Sequence, residues 1–231
     1  MIHATPIAET TRRKCGKLEA VRVCENCVMV QVMNIQLRPP GLSYVTQAAE
    51  GLERRRWTVA EIEAMVQAGI IDGDERFELI DGEVVPMSPK GARHELIKVS
   101  LLDYWMERKS KSFKIAPETT FYLNVASYIE PDFVFFTSNT KLADLVPANA
   151  LLAVEVSDSS LRYDTGRKAI LYAMHGVCEL WTINAETLQT HIFTKPSEES
   201  YLERRLIEPN EILAPSFAPE IAVRMAELPL V

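Results

Sequence analysis

Two short apolar runs, each carrying a single carboxylate, most constrain the fold of this 231-residue chain. Residues 131–136 begin with a proline and Asp132 and continue with aromatic and β-branched side chains. Residues 151–156 are apolar apart from Glu155. Runs of this length and composition predict buried β-strands. Because an unpaired buried charge is costly, we expect both carboxylates to have partners.

A helix is predicted shortly after the second run. Residues 157–160 supply turn and capping side chains, and apolar residues then recur at roughly helical spacing over residues 164–175. Lys168 would lie near the start of this helix. The sequence therefore predicts an ammonium group close in the chain to the second carboxylate.

These three side chains together suit one kind of chemistry. Carboxylates on adjacent strands can share a hard divalent cation, because Mg²⁺ is usually held by one or two carboxylates with water and substrate phosphate. The ion lowers the pKa of a bound water, and a lysine can position or deprotonate that water and stabilise charge on the phosphate. Asp132, Glu155 and Lys168 therefore predict metal-assisted hydrolysis of a phosphodiester.

A longer pattern of segments accompanies these residues. Its members are Arg56-Trp57-Thr58, residues 77–83, Met87-Ser88-Pro89, His94, Pro131-Asp132, residues 155–164, Lys168, Tyr172, Gly176-Val177 and Glu179-Leu180-Trp181. The pattern covers most of residues 56–225 and resembles the PD-(D/E)xK nuclease superfamily, in particular its Uma family of restriction endonucleases. The resemblance implies an α/β (mixed α+β) domain with a restriction endonuclease-like central mixed sheet flanked by helices. It also implies a Mg²⁺-dependent DNA endonuclease.

The resemblance assigns roles to individual residues. Asp132 looks like the first metal-binding acid of the family and Glu155 like the second. An acid from the N-terminal part completes the metal site in related nucleases, so Glu83 is a further candidate metal ligand. Glu78 and His94 also match family positions and are candidate site members. The implied cofactor is Mg²⁺ or Mn²⁺ and the implied partner is DNA, with a homodimer as the common arrangement for cutting both strands.

One position departs from the superfamily pattern. Ser157 stands two residues after Glu155, where the superfamily usually has lysine. The nearest replacement is Lys168, as a catalytic base or a phosphate-contacting residue. The departure leaves open a catalytically silent nucleic-acid-binding or protein-binding module of the same fold. Another metal-dependent hydrolase, acting on nucleotides or RNA, also fits these residues.

The same side chains have ordinary structural roles in many proteins. A strand-start cap is the alternative for Asp132, and a salt bridge to Arg162 or Arg167 is the alternative for Glu155. The remaining candidates could face solvent: Lys168 on its helix, Glu78 and Glu83 on a hairpin, and His94 at the start of a helix.

Short motifs predict several further elements. Asp81-Gly82 between two apolar runs predicts a hairpin with a type I′ turn. Thr58 and Glu61 form a capping box ahead of a short helix. A longer helix is predicted from about Ala92 to Lys109, packed on a sheet through Leu96, Val99, Leu102, Tyr104 and Met106. Other strands are predicted near residues 113–123, 179–183, 188–194 and 201–207.

Charge limits the nucleic-acid contact that this chain can make. A formal net charge of −7 argues against a broad basic footprint, which would need an excess of lysine and arginine. Binding would have to be local. The candidate basic patch is residues 108–114, with Arg93 and Lys98 before it, and the alternative is a solvated helix end.

Residues 1–50 look unlike the rest, with mixed polarity and no sustained period. We expect an N-terminal extension, disordered or loosely docked, followed by a nuclease domain over residues 51–231. The extension carries a lone Cys24-Glu25-Asn26-Cys27 motif with no second pair to complete a zinc site. We find no signal peptide and no apolar run of membrane-spanning length, so we expect a cytoplasmic protein with no membrane partner.

Overall fold

The structure, a computed structural model, describes residues 9–14, 17–22 and 54–230. In the N-terminal part, β1 (Glu9–Lys14) and β2 (Lys17–Arg22) pair as an antiparallel hairpin. Apart from this hairpin, the predicted extension over residues 1–50 lies outside the described residues. Cys24 and Cys27 lie outside them as well.

The capping box and the hairpin are both confirmed. Helix α1 (Val59–Gln67) begins after Thr58, whose Oγ1 accepts the amide of Glu61 at 3.2 Å, and Glu61 Oε2 accepts the amide of Thr58 at 2.9 Å. Asp81 and Gly82 have φ values of 50° and 78°, the left-handed conformation that a type I′ turn requires. Their turn joins β3 (Phe77–Ile80) to β4 (Glu83–Pro86). With β6 (Phe121–Asn124) and β7 (Ser127–Ile129), these strands form a four-stranded antiparallel sheet of order β4-β3-β7-β6.

A six-stranded mixed sheet forms the centre of the domain, as the sequence predicts. Its strands are β5 (Phe113–Pro117), β8 (Phe133–Thr137), β9 (Ala150–Ser157), β10 (Glu179–Asn184), β11 (Thr190–Pro196) and β12 (Tyr201–Ile207). Their order is β12-β11-β10-β9-β8-β5, and all neighbours pair antiparallel except β9 and β10, which are parallel. The two apolar runs of the sequence are therefore adjacent strands, β8 and β9.

Helix α2 (Ala92–Arg108) packs on one face of this sheet. Trp105 meets the rings of Phe133 and Phe135 edge-on, with centroids 5.3 and 5.0 Å apart. The predicted packing stripe is wrong in part, because Val99 and Met106 are 55% and 53% exposed. The stripe that faces inward contains polar side chains as well as apolar ones: His94, Ile97, Lys98, Ser100, Leu101 and Trp105.

The opposite face of the sheet is covered by a helical run that is irregular in the middle. It consists of α3 (Leu161–Tyr163), a π-helical turn (Asp164–Lys168) and α4 (Ala169–Met174). Leu171 and Tyr172 pack with Leu180 and Phe193 of the sheet. The sequence predicts one regular helix over this region, and the π turn inserts an extra residue into it.

The chain ends in two 3₁₀ turns, Pro219–Ile221 and Met225–Glu227, which pack against the same core as α2. Among the helices that the structure describes, none has the length and apolar character needed to cross a membrane.

Candidate active site

A pocket of about 160 Å³ lies between β3, the start of α2, β8, β9 and the π-helical turn. It brings together all three residues that the apolar runs and the following helix singled out, with Glu78 and His94 beside them. Its charged lining residues are Glu78, Lys90, His94, Glu130, Asp132, Glu155, Asp158, Asp164 and Lys168.

Asp132 is held in one orientation by neighbours from three directions. Its Oδ2 accepts the amide of Val156 in β9 at 2.8 Å and lies 3.2 Å from His94 Nε2. Its Oδ1 lies 3.2 Å from Lys90 Nζ and 3.6 Å from Lys98 Nζ. Both carboxylate oxygens of this buried side chain are therefore engaged.

These contacts set the charge state of Asp132. Burial alone would raise the pKa of its carboxyl group, but the hydrogen bond and charge of His94, the Val156 amide and the Lys90 charge outweigh it. The net result is a pKa lowered to about 2. Asp132 is a stable carboxylate at any ordinary pH.

Glu155 lies one strand away in a different environment. Its Oε1 accepts the hydroxyl of Tyr172 at 2.6 Å and lies 2.7 Å from Lys168 Nζ. Burial and the nearby charges of Asp164, Asp132 and Glu78 raise the pKa of Glu155, and Lys168 opposes them, so that the net pKa is about 8. The negative charge around Glu155 is only partly compensated.

Lys168 is the single buried cation of this part of the pocket among the described residues. Besides Glu155, its Nζ lies 2.9 Å from Glu78 Oε1 and 4.0 Å from Asp164 Oδ1. Burial opposes its charge, but these carboxylates raise the pKa of Lys168 well above its usual value. Lys168 therefore stays protonated.

The position of Ser157 explains how a lysine further along the chain reaches the pocket. Ser157 is fully buried at the end of β9, and its hydroxyl donates to Asp164 Oδ2 at 2.7 Å. Asp164 opens the π-helical turn and Lys168 closes it. The extra residue of the turn changes which side chains face the sheet, and both ends of the turn are buried against the pocket.

The contacts differ from several of the ordinary structural roles considered for these residues. Arg167 pairs with Asp81 at 2.6 Å, and the cation at Glu155 is a lysine. Lys168 and Glu78 are buried rather than solvent-facing. Glu78 Oε1 also accepts the amide of Glu130 at 3.0 Å, which fixes it in the site.

Of the two further candidates, His94 lines the pocket and Glu83 does not. His94 lines the pocket, is buried in α2 and contacts Asp132 directly. Glu83 is half-buried in β4 opposite Ile80 and does not line the pocket. Its role as a metal ligand stays a prediction, while Glu78 supplies the acid that this region contributes to the pocket.

The sequence reasoning missed three site members, Asp164, Lys90 and Lys98. The spacing of Asp164 and Lys168, one helical turn apart, was an available signal for a paired acid and base. No local signal marked the two other lysines. Lys98 is wrongly predicted as part of an exposed basic patch, because it is buried and its ammonium contacts Glu118 and Asp132.

The carboxylate oxygens in this pocket are the type of ligand that a hard divalent cation prefers. Asp132 and Glu155 present carboxylate oxygens to one pocket, and the raised pKa of Glu155 indicates negative charge that a cation would offset. Within residues 54–230, no three His, Cys, Asp or Glu side chains are grouped closely enough to hold a metal by themselves. The residues therefore fit a site in which two carboxylates hold the ion and other oxygens complete it.

The comparisons with known proteins agree with this fold. A family model described as "Uma2: Putative restriction endonuclease" matches residues 59–226. One similar solved structure is a "putative nuclease belonging to DUF820" from Anabaena variabilis ATCC 29413, with 14% identity and a TM-score of 0.56. The match covers 74% of this chain and 96% of that chain, and it shows a shared nuclease-like fold. A search of curated proteins finds no match.

Proposed function

The chain belongs to the Uma2 family of putative restriction endonucleases, and from this membership we propose that it is a Mg²⁺-dependent DNA endonuclease acting at the pocket of Asp132, Glu155 and Lys168. One observation carries the proposal. Two carboxylates, one immediately before β8 and one in the adjacent β9, line one pocket with a lysine ammonium 2.7 Å from the second of them. Mn²⁺ is the expected substitute ion, since both prefer oxygen ligands.

Asp132 and Glu155 are the residues that would hold the ion. When bound, the divalent cation supplies Lewis-acid stabilisation of the phosphate and an activated water. Asp132 is pre-oriented by the Val156 amide and His94, and Glu155 is fixed by the Tyr172 hydroxyl. Preorganisation of this kind avoids reorganisation during the reaction.

Lys168 acts as a charge-stabilising donor in this proposal. Its ammonium lies within 4.0 Å of three carboxylates, Glu78, Glu155 and Asp164, and such a group keeps its proton. It would therefore donate to a phosphate oxygen rather than take a proton from water. Of the two roles that the sequence left open for Lys168, the proposal therefore takes the phosphate-contacting one.

DNA is the proposed substrate, and cutting of both strands would follow from two pockets in a symmetric homodimer. The exposed side chains Arg108, Lys111 and Lys114 remain the proposed local contact for the phosphate backbone. A net charge of −7 predicts modest affinity that falls with salt.

The test is cleavage of supercoiled plasmid by the purified protein with Mg²⁺ or Mn²⁺. We expect Asp132→Asn, Glu155→Gln and Lys168→Met each to lower the rate by roughly a hundredfold or more. Glu220→Gln, at an exposed residue of the C-terminal 3₁₀ turn, is the matched control and should cut normally. Wild-type rates in the Asp132 or Glu155 variant would exclude this site.

A second candidate function is a catalytically silent nucleic-acid-binding or protein-binding module. The observation that favours it is internal compensation, because Lys90 and Lys98 already occupy the Oδ1 side of Asp132. Calorimetric titration with Mn²⁺ separates the two functions. Binding that disappears in Glu155→Gln supports the nuclease, whereas absence of binding to the folded wild-type protein supports the silent module.

A further inference from the structure

The strand β12 forms one edge of the central sheet, and its outer side is open among the residues that the structure describes. There, β12 pairs with β11 alone. It is seven residues long, and its Leu202 and Leu206 are 71% and 47% exposed. A long edge strand with exposed leucines is a template for pairing with another strand.

The sequence of β12 is complementary to itself when reversed. It reads Tyr-Leu-Glu-Arg-Arg-Leu-Ile, with Arg204 at its centre. Antiparallel pairing of two copies about Arg204 sets Leu202 opposite the partner's Leu206 and Glu203 opposite the partner's Arg205. Apolar pairs and opposite-charge pairs directly across an antiparallel ladder are both favourable.

Charged residues in an edge strand usually prevent it from pairing with another strand. A run of charges of one sign would prevent two copies of β12 from pairing. Glu203 and Arg205 instead have opposite signs at the positions that meet. Arg204 would meet its own copy, but its guanidinium turns inward over the ring of Phe193, 5.1 Å from the centroid, and lies 3.2 Å from His191 Nδ1.

We propose that β12 is a homodimer interface, in which it pairs antiparallel with β12 of a second copy of this chain about a two-fold axis at Arg204. The pairing joins the two six-stranded sheets into one continuous sheet. The interface is isologous, since the same residues contribute from both copies. It rests on β12 alone, so it stands whether or not the pocket cleaves DNA.

The experiment uses charge reversal at the two positions that meet. The association state of the full-length protein is measured by sedimentation velocity over a wide concentration range. The wild type is expected to form a dimer. In Glu203→Arg two arginines face each other, and in Arg205→Glu two glutamates do, so each variant should weaken dimerisation roughly tenfold or more.

Two further samples, both expected to restore dimerisation, test the register of the pairing. The double variant Glu203→Arg/Arg205→Glu should dimerise like the wild type. An equimolar mixture of the two single variants should form a heterodimer, because each chain then offers the charge that the other lacks. Both results are expected when Glu203 of each copy meets Arg205 of the other, as in antiparallel pairing about Arg204.

Matched controls exclude indirect effects. Glu220→Arg makes the same charge change away from β12 and should leave the dimer unchanged. Glu203 also contacts Lys195 within the chain, so thermal unfolding of each variant is recorded to confirm that the fold is kept. A wild type that stays monomeric at all concentrations, or single variants that dimerise as tightly as the wild type, would overturn the proposed interface.

Discussion

The two carboxylates of the pocket are buried to a similar degree but have opposite electrostatic character. The pKa of Asp132 is lowered to about 2, and that of Glu155 is raised to about 8. Asp132 faces a backbone amide, a histidine and two lysines. Glu155 has one ammonium, Lys168, which it shares with two other acids.

The difference shows that burial alone does not decide whether an acid is charged in this fold. What decides it is the number of donors and cations per carboxylate. The Asp132 half of the pocket is electrostatically complete, whereas the Glu155 half has more acids than cations. If the proposed function holds, a divalent cation would therefore offset more uncompensated negative charge in the Glu155 half than in the Asp132 half.

The largest expected effect comes from removing the single cation of the Glu155 half. Lys168→Ala leaves the buried acids Glu78, Glu155 and Asp164 without an ammonium, and we expect a loss of about 3–5 kcal/mol in the free energy of unfolding. Lys90→Ala is the matched change in the other half, where Lys98 and His94 remain, and should cost about 1 kcal/mol or less. Urea unfolding at pH 7 in EDTA measures both, and equal losses would contradict the comparison.

The second prediction concerns the pH dependence of stability in the metal-free protein. The pKa of Glu155 is about 8 in the folded protein and 4.5 ordinarily. The stabilising contribution of its proton is therefore fully present below pH 4.5 and is lost as pH rises through 8. Asp132 acts in the reverse sense, with a contribution present above 3.8 and lost as pH falls towards 2. Between pH 5 and 8 only Glu155 of this pair should give a slope.

Glu155→Gln should therefore flatten the fall in stability between pH 5 and 8, by an amount on the order of a few kcal/mol. Asp132→Asn should shift the whole curve downwards and keep the large fall due to Glu155, with only a small change in slope through His94, whose pKa Asp132 raises. Chemical unfolding in EDTA at several pH values distinguishes the two. A wild-type slope that survives in Glu155→Gln would show that this carboxyl group does not titrate near pH 8.

A smaller effect is expected at Tyr172, the hydroxyl donor to Glu155. Tyr172→Phe keeps the ring in the core and removes one hydrogen bond to the carboxyl group, which should cost about 1–2 kcal/mol. Tyr163→Phe, at a half-buried tyrosine that lines the pocket, is the control and should cost less. Indistinguishable midpoints for wild type and Tyr172→Phe would indicate that water replaces the lost donor.

What the sequence could predict depends on how far apart in the chain the interacting residues lie. The hairpin at Asp81-Gly82, the cap at Thr58 and strands β8 and β9 depend on a few adjacent residues, and all were predicted. The burial of Glu78 and Lys98 depends on segments far apart in the chain. An alternating or helical pattern marks such residues as solvent-facing, because it does not contain the partner that makes burial favourable.

Lys168 illustrates the same limit within one element. Its distance from Glu155 along the chain suggested a substitute for the lysine displaced by Ser157, and the structure has the two side chains 2.7 Å apart. The π-helical turn that buries Lys168 has no signature in the hydrophobic period, since it arises from packing of Asp164 and Lys168 against the pocket.

The smallest expected effect belongs to His94, in the Asp132 half. Burial opposes its charge, but the hydrogen bond and charge of Asp132 give a net rise in the pKa of His94 above 6.5. Its contribution to stability is therefore present below pH 6.5 and lost as pH rises through the folded value. His94→Gln, made in the Glu155→Gln background, should remove the remaining downward slope, an effect of at most about 1 kcal/mol.

His191→Gln in the same background is the control with the opposite sign. Burial and the charge of Arg204 lower the pKa of His191, so removing it should steepen the fall in stability with pH rather than flatten it. Unfolding free energies at pH 6, 7 and 8 in EDTA measure both variants. If His94→Gln left the slope unchanged, His94 would be neutral beside Asp132, and the low pKa of that carboxyl group would depend on the lysines and the Val156 amide alone.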